Sequence, residues 1–560
     1  MRRILLFLSM WLVTAPVSAQ SVTVRGRVLD ASSLRPIQAA TLTVVESGAQ
    51  ALSDQSGRFL ITSGNPGSVS VRVEVLGYES ALETDVVLRT SRSTYVEFRL
   101  ERKALELEGI VVGAPAFRVL EAAPVSTQLL SNQELRRTPG GLQDVSRTLL
   151  SLPGVLGGVD NRNDLLVRGG GPGENAYYID GIRIPQINHF ATQGASGGAL
   201  GLVNVDFIRE TEFFAGAFPV RYGDALSSVL SIENRPGSPE GVQGDFTLGA
   251  TEAALTLDGP AGDNSNWLFS VRRSYLQFLF EALGLPIRPD YWDTQFRFES
   301  QISDRDRLVL VGIGALDNFD IVPPAIGDDF ENFEIASRVI DNDQKSFTVG
   351  ASWRRLIEGG FVTTSVSQSR SHFSFEDPGD DGIPVLANDS EELDTRLTVQ
   401  GDFESGSGLT MAVGLDASRS SVEARVFQRA IPGGALKEDL AWDEGVMLHK
   451  LSAFAQTTID LGSRVKLTGG LRADEVSALD DGFEFSPRGS VLIDLGSGVT
   501  AQAGGGLYHQ APSLIALSVK DNGRPINLSL RQQRNVQVAS GVSWTVNQGF
   551  RLSAEAFWKE

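Results

Sequence analysis

DLLVRGGGPGENAYYIDGIRIP, residues Asp164 to Pro185, and FIRETEFFAGAFPVRYGDALSSVLSIENR, residues Phe207 to Arg235, carry the most information in this 560-residue chain. Working outward, an Arg168-Gly169 turn precedes a strand from Ala176 to Ile179 closed by Asp180-Gly181, and a Tyr222-Gly223 turn later leads into Leu230 to Glu233. Upstream, Ser131 with Glu134 fits a capping box, and Asp144 to Leu150 continues as a short amphipathic helix that Pro153-Gly154 must stop. Helices followed by glycine-separated strands predict an α+β domain. Gly171, Gly173 and Ala176 also satisfy a G-x-G-x-x-A spacing. Tyr177-Tyr178-Ile179 follows as a strand signal, where pyrophosphate would need a helix N-terminus, so these glycines read as turn formers that permit positive φ.

Beyond Gly244 the pattern changes to repeated strands of the length that a tilted transmembrane β-strand requires. In Lys345 to Arg354, Phe347, Val349, Ala351 and Trp353 share one face, and Ser346, Thr348, Gly350, Ser352 and Arg354 share the other. Leu397, Val399 and Phe403 likewise oppose Arg396, Thr398, Gln400 and Asp402, and Val465, Leu467 and Leu471 oppose Lys466, Thr468 and Arg472. A soluble sandwich also alternates, but full charges on the polar face of strand after strand fit a wet barrel interior. Tight connections are expected at Asp258-Gly259-Pro260 and Leu461-Gly462-Ser463, and long acidic ones at Phe319 to Gln344, Glu376 to Glu392 and Arg425 to Val446. About fifteen strands fit between Gly244 and Glu560, and SAEAFWKE at Ser553 to Glu560 reads as a chain stopping in mid-strand, a fragment of a larger barrel.

The other end carries Arg2 and Arg3, an apolar run from Ile4 to Val13, and small residues at Val17-Ser18-Ala19. This reads as a secretory signal over residues 1–19, the run being too short to span a bilayer as a helical anchor. From Val22 to Leu100 short alternating strands such as Val69, Val71, Val73 and Val75 predict a small β-sandwich. With 69 Asp and Glu against 49 Lys and Arg, the chain offers no basic surface for nucleic acid. The absence of cysteine removes disulfides, Cys-based metal sites and thiol catalysis. The four histidines, His189, His372, His449 and His509, have no metal-ligand spacing, and no catalytic motif or cofactor site is found. Asp377, Asp380 and Asp381 read as a solvated acidic loop, since the full calcium-loop spacing is missing.

The two opening blocks, with LLSLPGV at Leu149 to Val155 before them, resemble the plug domain of TonB-dependent outer-membrane receptors. Gly26, Asp30, Pro36, Ala40, Asp54, Gly57, Phe59 and Gly77-Tyr78 resemble the carboxypeptidase regulatory-like domain, a transthyretin-like module with a carbohydrate-binding-like fold and no peptidase of its own. Gly26 and Asp30 are expected to flank its first strand, and Tyr78 reads as a packed core or turn residue. The resemblance implies a mainly β chain: sandwich at 20–102, linker at 103–116, plug at 117–235 and part of an antiparallel transmembrane β-barrel at 236–560. The linker segment Leu107, Glu108, Gly109, Ile110, Val111 and Val112 has two readings, the sandwich's last strand or a TonB box, a strand that a partner adds to its own sheet. Arg168, Gly169, Asp180, Gly181, Tyr222 and Gly223 form the plug motif.

The implied function is import of a scarce nutrient across the outer membrane, energised through TonB and its inner-membrane motor, with the plug gating the barrel and no enzymatic step. The sandwich and the plug's inner side would face the periplasm, the barrel wall would face outer-membrane lipid, and the ligand would be a small molecule, siderophore or oligosaccharide. Gln186, Asn188, His189 and Phe190 are the candidate ligand contacts on an apical loop, where His189 either meets ligand or packs against the barrel wall. The rival reading is a surface carbohydrate-binding or adhesion protein that does not transport.

Overall fold

The computed structural model describes residues 22–31, 34–63, 66–88, 94–102, 125–158, 162–249, 251–322, 332, 335, 341–377, 384–405, 408–430, 438–477, 479–521, 524–547 and 550–560. The signal segment, the linker segment Leu107 to Val112, Asp380 and Asp381 lie outside these residues. The chain divides into two compact units, Met1–Ala116 and Phe117–Glu560.

The first unit is a two-sheet sandwich. Its strands are β1 (Val22–Asp30), β2 (Thr41–Val44), β3 (Gln50–Leu52), β4 (Arg58–Ser63), β5 (Gly67–Glu74), β6 (Ala81–Leu88) and β7 (Thr94–Leu100). They form sheets of order β4-β1-β7 and β3-β2-β5-β6. Alternation turns Val24, Val28, Leu42, Val44, Val71 and Val73 into one core, each burial contributing roughly 1.5–3 kcal/mol before chain entropy is counted. Gly26 lies inside β1 rather than beside it, paired with Phe59 and Val96, and only glycine fits there because a Cβ would sit 1.6 Å from the Val96 carbonyl oxygen. Asp30 is buried and accepts hydrogen bonds from the Tyr78 hydroxyl at 3.0 Å and Arg102 Nε at 2.8 Å. Tyr78 thereby ties a turn to the core.

The second unit holds an inner α+β domain and a large sheet. The inner domain comprises β8 (Thr127–Ser131), α1 (Asn132–Arg137), α2 (Val145–Leu149), β9 (Val155–Gly157), β10 (Leu165–Val167), β11 (Asn175–Ile179), β12 (Ile182–Ile184), β13 (Asn188–His189), β14 (Leu200–Gly201), β15 (Ile208–Phe214) and β16 (Ser228–Asn234). Its central sheet runs β12-β11-β16-β15-β8, with β11 and β16 parallel. The capping box is formed, Ser131 Oγ accepting from Glu134 N–H and the Glu134 carboxylate from Ser131 N–H. Asp144 caps α2. Leu135, Val145, Leu149, Tyr177, Phe213 and Ile232 pack into one core, which Ile313 and Ala315 of the large sheet join.

That large sheet is an antiparallel meander of fifteen strands. They are β17 (Gln243–Leu248), β18 (Glu252–Pro260), β19 (Ser265–Ser274), β20 (Ile287–Gln301), β21 (Asp306–Ile321), β22 (Asp341–Ile357), β23 (Gly360–Asp377), β24 (Leu386–Ser405), β25 (Leu409–Gln428), β26 (Leu440–Leu461), β27 (Val465–Val476), β28 (Phe483–Gly496), β29 (Val499–Gln510), and, after the two-residue pair β30 (Lys520–Asp521) and β31 (Arg524–Pro525), β32 (Gln533–Asn547) and β33 (Phe550–Lys559). Inner-domain residues bond to Asp258 on β18 and to Glu555 and Lys559 on β33, so the sheet wraps around that domain. Alternation works as expected: Phe347, Val349 and Trp353 stand exposed on the outside while Ser346 and Thr348 are buried inside.

Two expectations need correction. Asp258-Gly259-Pro260 is the end of β18, not a turn, since Gly259 and Pro260 pair with Trp267 and Asn266, and the connection is 261–264. The long loops are also shorter than expected, because β21 runs to Ile321, β23 to Asp377 and β25 to Gln428, and their partners begin at Asp341, Leu386 and Leu440. Strands grow from 15 residues in β20 to 22 in β26, beyond the roughly ten that cross a bilayer. Outside lipid a ladder no longer needs apolar side chains, so acidic, loop-like sequence stays paired.

Candidate functional site

The motif turns all reach the wall of the sheet. Asp180 and Gly181 have φ of 48° and 80°, the double positive φ of a two-residue hairpin turn that Asp-Gly supplies at low cost. This turn joins β11 to β12, and the Asp180 carboxylate accepts from Asn234 N–H and Nδ2 and pairs with Arg297 of β20 at 3.3 Å. Burial pushes the Asp180 carboxyl up, outweighing Arg297 and Asn234, which act the other way. Arg168 and Gly169 repeat the double positive φ. The Arg168 guanidinium pairs with Glu555 and lies 4.4 Å from the Phe557 ring centroid. Tyr222 packs on Tyr178 and Phe214, with centroids 5.0 and 5.6 Å away. A Cβ on Gly223 would meet the Arg472 guanidinium at 2.3 Å.

The apical segment is pressed against β20 to β22. Gln186 Nε2 donates to Ser346 Oγ at 3.1 Å, and Asn188 accepts from Ser146 Oγ at 2.9 Å. Phe190 N–H donates to Asp317 at 2.9 Å, and its ring meets Tyr291 and Phe319 edge-on. His189 has no exposed surface: Nδ1 lies 2.6 Å from Asp317, Nε2 lies 3.2 Å from Asp293, and the ring stacks on Tyr291 at 3.9 Å. Burial alone would lower the imidazole pKa. The Asp317 charge and hydrogen bonds to both carboxylates overcome it and raise the group to about 9, so the ring is cationic at neutral pH. Arg272 shares Asp293 at 2.9 Å and donates to the Gly201 and Leu202 carbonyls. Sequence reasoning missed Asp293, Asp317 and Arg272. Their only signal was a charge on the inward face of a strand, and nothing linked them to His189.

A second seam of largely buried ion pairs lies opposite β24 to β27. There Asp224 pairs with Arg183 at 3.1 Å and Lys450 at 2.8 Å, Arg396 with Asp416 at 2.7 Å, and Arg472 with Asp474 at 2.8 Å. Burial raises the Asp224 carboxyl, but Lys450 and Arg183 together hold it well below the usual range. These pairs line a small polar pocket of about 20 Å³, room for about one water molecule. Beside it, Arg488 lies 4.3 Å from the Tyr508 ring and 4.9 Å from Phe218, and its Nη1 donates to the carbonyls of Phe218, Pro219 and Tyr222. Among the described residues no group of three or more His, Asp or Glu is placed to hold a metal.

Sequence profiles agree with a small domain ringed by polar contacts inside an outwardly apolar meander. The profile described as "TonB dependent receptor-like, beta-barrel" matches residues 212–560, and "TonB-dependent Receptor Plug Domain" matches 119–229. The chain belongs to the TonB-dependent receptor family. A third profile, "Carboxypeptidase regulatory-like domain", matches residues 23–101 of this receptor. No curated protein matches it by sequence. Solved structures share its fold: a ferric enterobactin receptor (PfeA) mutant from Pseudomonas aeruginosa has a TM-score of 0.60 at 16% identity, covering 78% of this chain and 71% of that one. The siderophore receptor PirA from Acinetobacter baumannii gives 0.60 at 16%, covering 79% and 72%, and the copper transporter OprC gives 0.59 at 14%, covering 78% and 71%. The receptor is therefore a mainly β protein of the outer membrane, with a plug inside its strand wall.

Proposed function

We propose that this receptor imports a scarce small-molecule nutrient, energised through TonB by the inner-membrane proton gradient. The observation that carries the reading is the plug seam itself. A permanent partition could be sealed with apolar packing, whereas much of this one is held by ion pairs and hydrogen bonds that water can replace. The motif residues Arg168, Gly169, Asp180, Gly181, Tyr222 and Gly223 build turns that dock the plug, Gln186, His189 and Phe190 join its outer side to the wall, and Asn188 braces that segment from within the plug through Ser146, Asn163 and Ser196. Residues 1–19 act as a cleaved export signal, and the short turns, such as 358–359 and 462–464, face the periplasm with the sandwich.

In this reading Leu107 to Val112 is the strand that TonB captures, with main-chain hydrogen bonds supplying grip. Ligand arrives from the long-loop side, the plug rearranges under load, and no nucleotide site is required. Ferric siderophores and copper, cargoes of the structural neighbours, are the first probes for uptake. Deleting Leu107 to Val112 should abolish uptake of whichever probe the intact receptor takes in, while binding and membrane insertion persist. Unchanged uptake would refute TonB coupling, and binding of an oligosaccharide probe with no uptake of any probe by the intact receptor would support a surface carbohydrate-binding role.

A further inference from the structure

The outer face of the meander carries polar groups that the transport reading does not use. Across β23 to β26, Gln368, Thr395, Arg419 and His449 lie opposite one another in register, and all four are exposed. One row nearer the short turns, Val366, Leu397, Ala417 and Leu451 are also in register, with Val366, Leu397 and Leu451 exposed. Glu475 of β27 stands beside Leu451 and ends this apolar row. Counted from the short turns, Gln368 is the ninth residue of β23 and Arg419 the eleventh of β25, and about ten residues carry a tilted strand across the lipid core. The polar row therefore sits where the strands leave the lipid. Each of its four side chains can donate a hydrogen bond. The cations inside the wall are matched, as Arg396 is by Asp416 and Lys450 by Asp224. Among the described residues no carboxylate pairs with Arg419, although Asp and Glu outnumber Lys and Arg 69 to 49 in the chain.

We propose that this row is a headgroup site for a phosphate-bearing membrane lipid. The Arg419 guanidinium and the His449 ring hold the phosphate, Thr395 and Gln368 donate beside them, and the acyl chains lie along Val366, Leu397 and Leu451. A guanidinium fork matches two phosphate oxygens at once. Adjacent strands are only about 4.8 Å apart, so Arg419 and His449 reach the same phosphate. A soluble anion would engage the polar row and leave the apolar row bare, whereas a lipid satisfies both. The site lies on the outside of the wall, so it involves neither the plug nor the cargo, and it stands whether or not the receptor transports.

Native mass spectrometry of the full receptor in detergent micelles tests it, with dioleoyl phosphatidylglycerol titrated against dioleoylglycerol, which has the same chains and no phosphate. The native receptor should bind phosphatidylglycerol roughly tenfold more tightly, the scale of one hydrogen bond to a charged group. Arg419→Gln combined with His449→Gln should erase that preference. Arg425→Gln, on the same strand but further from the lipid and paired with Asp443, should leave it intact. Because each receptor is its own reference for the two lipids, a general loss of stability does not imitate the result. No preference in the native receptor, or a preference that survives the double substitution, overturns the proposal. Excess inorganic phosphate should not displace phosphatidylglycerol; displacement would assign the row to a free anion and overturn the lipid site.

Discussion

Replacing His189 by Asn removes a cation held between two buried carboxylates. In the native receptor the imidazole pKa rises from 6.5 to about 9; at about 1.4 kcal/mol per unit this difference corresponds to roughly 3 kcal/mol favouring the docked segment. The folded value is the higher one. The contribution is therefore complete below about pH 6.5 and is lost as pH rises through about 9. Asp293 keeps Arg272 as a partner in the variant, but Asp317 keeps only the Phe190 N–H among these contacts. Hydrogen exchange of Ile187 to Ala191 reports the docking, corrected for the intrinsic pH dependence of exchange. Native protection should fall by about a hundredfold between pH 7 and pH 9.5. His189→Asn should start at the lower protection and show no such fall, and adding Asp317→Asn should restore part of it. A flat native profile over this window would refute the latch.

Other substitutions test the remaining contacts. Asp180→Asn should leave the melting temperature at neutral pH unchanged or raised, because burial already disfavours the charged carboxyl, whereas Asp180→Val should lower it by several degrees, since a β-branched residue resists a φ of 48°. Gly198→Ala places a Cβ 2.2 Å from the His189 carbonyl oxygen, and should cost about 1–3 kcal/mol in a denaturant melt of the plug. Tyr78→Phe removes the hydroxyl that donates to Asp30, and should reduce exchange protection of β1 by about 1 kcal/mol with the second unit unaffected.

The fold was legible because its signals are local. Alternation in Lys345 to Arg354 needs only neighbouring residues, and Asp180-Gly181 specifies its own turn. Strand ends were not legible where LANDSEELD at Leu386 to Asp394 lacks an apolar face yet remains laddered to β23. The seam was still harder to read. His189 meets partners 104 and 128 residues away, and the register that brings Asp293 and Asp317 inward depends on the whole curl of the sheet. The position of Leu107 to Val112 lies outside the described residues, so its role rests on motif resemblance and on the deletion experiment.

The order β12-β11-β16-β15-β8 also has a mechanical consequence. β8 is an edge strand, five residues paired with β15 alone, and it is the first described strand after the linker. Tension applied to the chain ahead of Val125 loads this strand before any other part of the plug sheet. The parallel pair β11 and β16 lies deeper and bears load only after β8 has yielded. The plug thus has a built-in order of failure, a weak outer tab and a stronger inner seam, and force spectroscopy should resolve them as two successive rupture steps.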